Sequence, residues 1–143
     1  MRIMLIKDLM TPSVSCVRPE TPLSQVAQQM KQENVGSIPV CNDNGRVLGI
    51  ITDRDIVLRA VASGKDASKA EDVMTRDVSC ATPNMNTHDA AMLLAKHQVR
   101  RLPVVSNDRL VGIISLADIA RKPIYVDEAG DALSAISKPN GVM

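Results

Sequence analysis

The chain contains no phenylalanine and no tryptophan, and its one tyrosine is Tyr125. Proteins that bind single-stranded nucleic acid usually stack bases on aromatic rings, and this sequence lacks those rings. Its core must be built from Val, Ile, Leu, Met and Ala. Charge of one sign is also missing: 17 basic residues face 16 acidic ones. The even balance leaves no basic footprint for nucleic acid or a membrane surface. No apolar run approaches the roughly 18 residues that span a bilayer. The run Ile3 to Ile6 is cut off by Lys7 and Asp8, too short for a signal-peptide core. The three cysteines, Cys16, Cys41 and Cys80, form no CxxC and leave an odd one over. Reduced thiols in the cytoplasm are the economical expectation. There is no P-loop, no Gly-rich dinucleotide fingerprint and no nucleophile with a partnered base, so no catalytic residues are assigned and an enzyme is not expected. His88 and His97 lack a ligand-spaced partner, so no metal site is expected either.

The sequence does have an internal repeat. Asp8-Leu9-Met10-Thr11 aligns with Asp72-Val73-Met74-Thr75, and Val14-Ser15-Cys16 with Val78-Ser79-Cys80. At the same offset Ile38-Pro39-Val40 falls on Leu102-Pro103-Val104. After one deletion Gly49-Ile50-Ile51 meets Gly112-Ile113-Ile114, and Asp55-Ile56 meets Asp118-Ile119. Each copy reads as strand, helix, strand, strand, helix, an α/β (α+β) pattern. Val14 to Val17 reads as a short strand. Thr21-Pro22 opens a helix, with Thr as N-cap and Pro at the first helical position. Its apolar face is Leu23, Val26, Ala27 and Met30. In the second copy Asn86 or Thr87 caps, above a stripe of Ala90, Ala91 and Leu94. Ser37 to Cys41 pairs with Val47 to Thr52 across a turn containing Asn44-Gly45. Its counterpart is Leu102 to Val105 with Leu110 to Ser115. A second helix follows, about Asp53 to Ala62 in one copy and Leu116 to Arg121 in the other. The organisation is a first domain at 8–62, a polar linker at 63–71, a second domain at 72–122, and a tail at 123–143 with a short helix.

These marks, twice and in order, resemble the CBS domain, named after cystathionine β-synthase. Two in tandem resemble a Bateman module of the free-standing bacterial type. The marks are Asp-Leu-Met-Thr-Pro, Gly36-Ser37-Ile38-Pro39-Val40 and Gly49-Ile50-Ile51-Thr52-Asp53-Arg54-Asp55, with their second-copy partners. The resemblance implies two β-α-β-β-α repeats packed with pseudo-two-fold symmetry through their sheets. It also implies a regulatory sensor of adenosine compounds: AMP, ADP or ATP first, NAD or S-adenosylmethionine less so. No cofactor is required. The expected partners are the small molecule, a second copy in a homodimer, and a regulated protein of unknown identity. The alternative is an interaction or scaffold module with empty or vestigial clefts.

Thr52-x-x-Asp55 and Ser115-x-x-Asp118 are the leading binding elements. A carboxylate can accept both hydroxyls of a ribose, and a helix start supplies N–H groups suited to a phosphate. The same spacing is also a capping box with Asp in place of Glu, and the two roles are compatible. The resemblance implies clefts built crosswise. One combines Thr52, Arg54 and Asp55 with Ser79, Cys80, Ala81, Arg100, Arg101 and Leu102. The other combines Ser115 and Asp118 with Ser15, Cys16, Val17, Gly36, Ser37 and Ile38. The first carries up to three guanidinium groups and is expected to bind more strongly; the second carries no cation. The arginines read equally well as a solvated face. Cys16 and Cys80 read as small buried apolar residues, with redox sensing as the lesser alternative.

Overall fold

The computed structural model describes residues 4–64 and 68–121. The expected tail helix at 123–143 lies outside the described residues. The elements run α1 (Ile6–Leu9), β1 (Thr11–Pro12), α2 (Leu23–Glu33), β2 (Ser37–Cys41), β3 (Val47–Thr52), α3 (Asp53–Asp55, continuing as a π-helical stretch Ile56–Val61), α4 (Ala70–Val73), β4 (Thr75–Arg76), α5 (Thr87–His97), β5 (Arg101–Ser106), β6 (Arg109–Ser115) and α6 (Leu116–Ala120).

Both hairpins form where the Asn44-Gly45 turn and the repeat predict. β2 pairs antiparallel with β3 from Ser37↔Thr52 to Cys41↔Val47, and β5 with β6 from Arg101↔Ser115 to Ser106↔Arg109. Gly45 takes the positive φ of 81° that the first turn needs, while Asn42 Oδ1 accepts from the Asn44 and Arg46 amides. The second turn uses Asn107 and Asp108, both at positive φ (52° and 61°), as a two-residue turn of matching twist requires. Asn86 caps α5 by accepting from the Asp89 amide at 2.7 Å.

Three local expectations need correction. Val14 to Val17 is not a strand; the chain is irregular there, and only Val17 forms a bridge, to Val40. The N-cap of α2 is Pro22 rather than Thr21, because the Thr21 hydroxyl turns back to accept from the Arg18 amide at 3.0 Å. Ala27 is exposed, so the face that α2 buries is Leu23, Val26 and Met30.

The described residues form two compact units, one of residues 15–78 and one made of the chain up to Val14 with the chain from Ser79. Each has its own three-stranded antiparallel sheet, ordered β2-β3-β4 and β1-β6-β5. Thus the Met-Thr segment that begins each sequence repeat docks on the hairpin of the other: Thr11↔Ile113 in one sheet and Ile50↔Thr75 in the other. Each unit has one aliphatic core. Ile6, Ala90, Leu94, Leu102, Val104, Ile114 and Ile119 fill one; Val26, Ile38, Val40, Ile51, Ala70 and Val73 fill the other. Burial of one such large aliphatic side chain contributes about 1.5–3 kcal/mol, which offsets the cost of ordering α1 and α4, each only one turn long.

The aspartate of the repeated Asp-x-Met-Thr holds those short helices. Asp8 Oδ2 accepts from the Leu5 amide at 3.2 Å. Asp72 Oδ2 accepts from the Lys69 and Ser68 amides at 2.9 and 3.1 Å, and these bonds hold its carboxyl below the usual carboxylate range. A depressed folded pKa contributes stability above the unfolded pKa, and the contribution disappears as pH falls through the folded value. Denaturant midpoints should therefore show Asp72→Asn less stable than the parent at pH 6, with the gap closing below about pH 4. A gap independent of pH would contradict this role.

Candidate functional site

Strands β3 and β6 each run directly into a helix, and the two Thr/Ser-x-x-Asp elements sit at those junctions. Both are reciprocal capping boxes. Thr52 Oγ1 accepts from the Asp55 amide at 3.0 Å while Asp55 Oδ2 accepts from the Thr52 amide at 2.9 Å. Ser115 Oγ and Asp118 Oδ2 repeat this at 3.0 and 2.9 Å. Each carboxylate thus commits one oxygen to the fold and turns the other elsewhere.

The second oxygens differ. Asp118 Oδ1 accepts from Arg121 Nη1 at 3.2 Å, whereas Asp55 Oδ1 lies 3.8 Å from Arg59 Nε, too long for a hydrogen bond. Arg59 spends its Nη1 on the Val73 and Met74 carbonyls, 3.3 Å each, at the end of α4. The side chain of Asp55 is 14% exposed and that of Asp118 9%. Neither arginine was singled out from the sequence, although their spacings, Asp55 to Arg59 and Asp118 to Arg121, are those of helix neighbours.

Gly36, Ser37 and Ile38 enter β2, and Arg100, Arg101 and Leu102 enter β5. Ile38 and Leu102 face the cores, and Ser37 is also buried. Arg100 and Arg101 are exposed, as is Arg54. Val17 and Ala81 are core residues whose backbone groups are already used. The Val17 amide donates to the Pro39 carbonyl and its carbonyl accepts from Cys41; Ala81 does the same with Pro103 and Val105. Cys16 and Cys80 are half-buried, and the buried cysteine is Cys41. Burial raises the Cys80 thiol pKa, which disfavours a reactive thiolate. Ser79 Oγ pairs with His97 Nε2 at 2.8 Å, a contact that the separation of the two residues in sequence hides.

The unit 15–78 carries Ser15, Cys16, Val17, Gly36, Ser37, Ile38, Thr52, Arg54 and Asp55; the other carries Ser79, Cys80, Ala81, Arg100, Arg101, Leu102, Ser115 and Asp118. Within the first, a groove of about 1010 Å³ brings Ser15 and Cys16 beside Ser24, Gln25, Gln28, Gln29, Gln32 and Glu33 of α2. Among the described residues no three His, Cys, Asp or Glu side chains cluster as a metal site. No described helix is long and apolar enough to cross a membrane.

A family model for the CBS domain matches residues 6–61 and again 70–133. CBS domain-containing protein YhcV of Bacillus subtilis is 43% identical over 136 residues, covering 94% of this chain and 96% of that protein. Hypoxic Response Protein I, solved with two coordinated zinc ions, matches with a TM-score of 0.77 and 37% identity over 82% of this chain and 98% of that one. CBSX2 of Arabidopsis thaliana in complex with AMP matches at 0.75 and 26% identity, over 84% of this chain and 96% of that one. The CBS domain pair of MJ0100, in complex with 5′-methylthioadenosine and S-adenosyl-L-methionine, gives 0.76 and 28%, over 82% and 98%.

Proposed function

The chain belongs to the CBS domain family and carries two such domains in tandem, and from that premise we propose that it is a regulatory module that binds an adenine nucleotide and signals to a partner protein without chemically altering the ligand. The observation that carries this reading is the pair of capped carboxylates, Asp55 and Asp118, each with one oxygen held by the fold and the other turned away from the cap. That arrangement fixes a ribose acceptor in place before any ligand arrives, so little ordering cost remains at binding. Support comes from the exposed cations Arg54, Arg100 and Arg101 and from the AMP complex of CBSX2. The proposed stronger set is Thr52, Arg54 and Asp55 with Ser79, Cys80, Arg100 and Arg101. The set also includes the core residues Ala81 and Leu102.

AMP, ADP or ATP should therefore raise the melting temperature more than S-adenosylmethionine does, because guanidinium groups favour phosphate over a sulfonium. At a ligand concentration 100 times Kd, linkage gives roughly 2.7 kcal/mol, a shift of several degrees for a chain of this size. A larger shift with the sulfonium compound would show the electrostatic argument to be wrong. No shift with any adenosine compound would favour the second reading, a scaffold module in which the capping boxes serve the fold alone.

We also place the module in the cytoplasm, consistent with three cysteines that are all thiols, and propose that it acts as a homodimer. The π-helical stretch leaves Val57, Leu58 and Val61 at 55%, 47% and 75% exposure, an apolar strip that a second copy can cover. Light scattering at micromolar concentration should return twice 15.4 kDa; a clean monomer would refute it.

A further inference from the structure

Val17 and Val40 form a parallel bridge, in which the Val17 amide donates to the Pro39 carbonyl and the Cys41 amide to the Val17 carbonyl. Both valines enter the aliphatic core. A cysteine adjoins each of them: Cys16 precedes Val17 and Cys41 follows Val40. Arg18 joins the two segments. Its Nη1 lies 3.9 Å from Cys16 Sγ and 3.5 Å from the Cys41 carbonyl oxygen and donates to the Asn42 carbonyl at 2.8 Å, while its Nε pairs with Asp43 Oδ1 at 3.1 Å. One guanidinium nitrogen thus touches both cysteines, and both belong to the unit 15–78. Their access differs. Cys16 is half-buried and lines the groove along α2, while Cys41 is buried. Their restraint differs too. Cys41 is held in β2, whereas Cys16 belongs to no strand and follows Ser13, which sits at a φ of 55°. In the other unit the same bridge joins Ala81 to Val104. There Cys80 stands at the position of Cys16, but Val105 stands at that of Cys41.

We propose that Cys16 and Cys41 are the attacking and resolving thiols of a peroxide-sensitive switch that closes into a disulfide within the unit 15–78. The Cys16 sulfur attacks one oxygen of hydrogen peroxide. The O–O bond breaks, the departing hydroxide takes the thiol proton as water, and Cys16 becomes a sulfenic acid. The Cys41 sulfur then attacks the Cys16 sulfur. The S–O bond breaks, and the hydroxyl leaves with the Cys41 proton as a second water. Two thiols and one peroxide thus give one disulfide and two waters. Residues placed one before and one after a bridged pair on regular parallel strands stand about 8 Å apart at Cα, about 1 Å beyond the reach of a disulfide. The irregular segment supplies that movement, because no strand pairing holds Cys16. Closure therefore draws Ser15 and Cys16 toward the end of β2, displaces Arg18 from the Cys16 sulfur and reshapes one wall of the groove. The switch operates whether or not a nucleotide binds.

Treatment of the reduced full chain with hydrogen peroxide, followed by thiol counting in denaturant and mapping of non-reduced tryptic peptides, tests this. The three thiols should fall to one, that of Cys80. Peptides 8–31 and 32–46, which carry Cys16 and Cys41, should appear as one cross-linked species. Dithiothreitol should restore all three thiols. Cys41→Ser should stop at a sulfenic acid on Cys16, captured by dimedone. Cys16→Ser should leave Cys41 reduced, because its buried thiol meets peroxide only through Cys16. Retention of all three thiols in the parent, a bridge that involves Cys80, or a bridge between two chains overturns the switch. Oxidation of Cys41 as fast in Cys16→Ser as in the parent overturns it as well. The peptide map of the parent decides the matter even where a variant folds poorly.

Discussion

Asp55→Ala should abolish most nucleotide binding, while Asp118→Ala leaves the tight event nearly intact. Both carboxylates are proposed ribose acceptors, so the sugar alone does not separate the two sets. The proposed set of Asp55 adds Arg54, Arg100 and Arg101, whereas their counterparts are Ala117, Gly36 and Ser37. A well-placed charge-assisted hydrogen bond to phosphate contributes about 1.5–3 kcal/mol. Two of them separate the affinities by about two or three orders of magnitude, at about 1.4 kcal/mol per decade. The geometry adds a second reason. Asp118 Oδ1 is engaged by Arg121 at 3.2 Å, while the nearest guanidinium nitrogen to Asp55 Oδ1 stands 3.8 Å away. A ribose hydroxyl must compete with Arg121 at one carboxylate and meets no such bond at the other. Each substitution also removes a cap contribution of about 1 kcal/mol, so folding is to be verified by circular dichroism before titrations are compared. Equal losses in the two variants, or a larger loss in Asp118→Ala, would reverse the assignment.

The second large effect is on stability. Gly49→Ala and Gly112→Ala should each destabilise the protein by about 3 kcal/mol, at the upper end for overpacking. A Cβ on Gly112 would stand 2.7 Å from the Thr11 carbonyl oxygen and 2.8 Å from Met10 Sδ; on Gly49 it would stand 2.6 Å from the Thr75 carbonyl oxygen and 3.0 Å from Met74 Sδ. The neighbour in each case is strand backbone, which moves only by breaking the pairing of β1 with β6 or of β4 with β3. Gly64→Ala is the control. Its Cβ would meet nothing within 4 Å, and its φ of +68° costs only local strain, about 1 kcal/mol. Urea midpoints decide the matter. If the two strand glycines behave like Gly64, the Met-Thr segments do not dock as described.

Those two glycines show what the sequence displays and what it conceals. Gly-Ile-Ile and Asp-x-Met-Thr are both visible as repeated marks, and the structure makes them the two halves of one contact. Nothing in periodicity says that the two halves come from different repeats: a strand of two residues has no alternation to read, and a single helical turn is too short for propensity to declare. The hairpins, by contrast, have strands of five to seven residues flanking a turn and are legible almost to the residue. Val14 to Val17 looked like a strand because it is β-branched at both ends, yet its Ser15 and Cys16 find no ladder partner. At the candidate site the capping boxes were readable from spacing alone, since the bonds run between residues three apart. The Asp53 amide bond to the Gly36 carbonyl is not readable from spacing, because it exists only once β2 and β3 pair and carry Ser37 opposite Thr52. The Ser79 to His97 hydrogen bond was hidden for the same reason: it needs α5 folded back along the segment that precedes it.

Binding of an adenine nucleotide through Asp55 is the proposal from which the other predictions on affinity follow. Equilibrium dialysis of the full chain against radiolabelled AMP measures it most directly. Saturable binding of one tight equivalent per chain, displaced by ATP and lost in Asp55→Ala, is the expected result. Absence of saturable AMP binding up to millimolar ligand in the folded parent protein, or undiminished binding in folded Asp55→Ala, would contradict it.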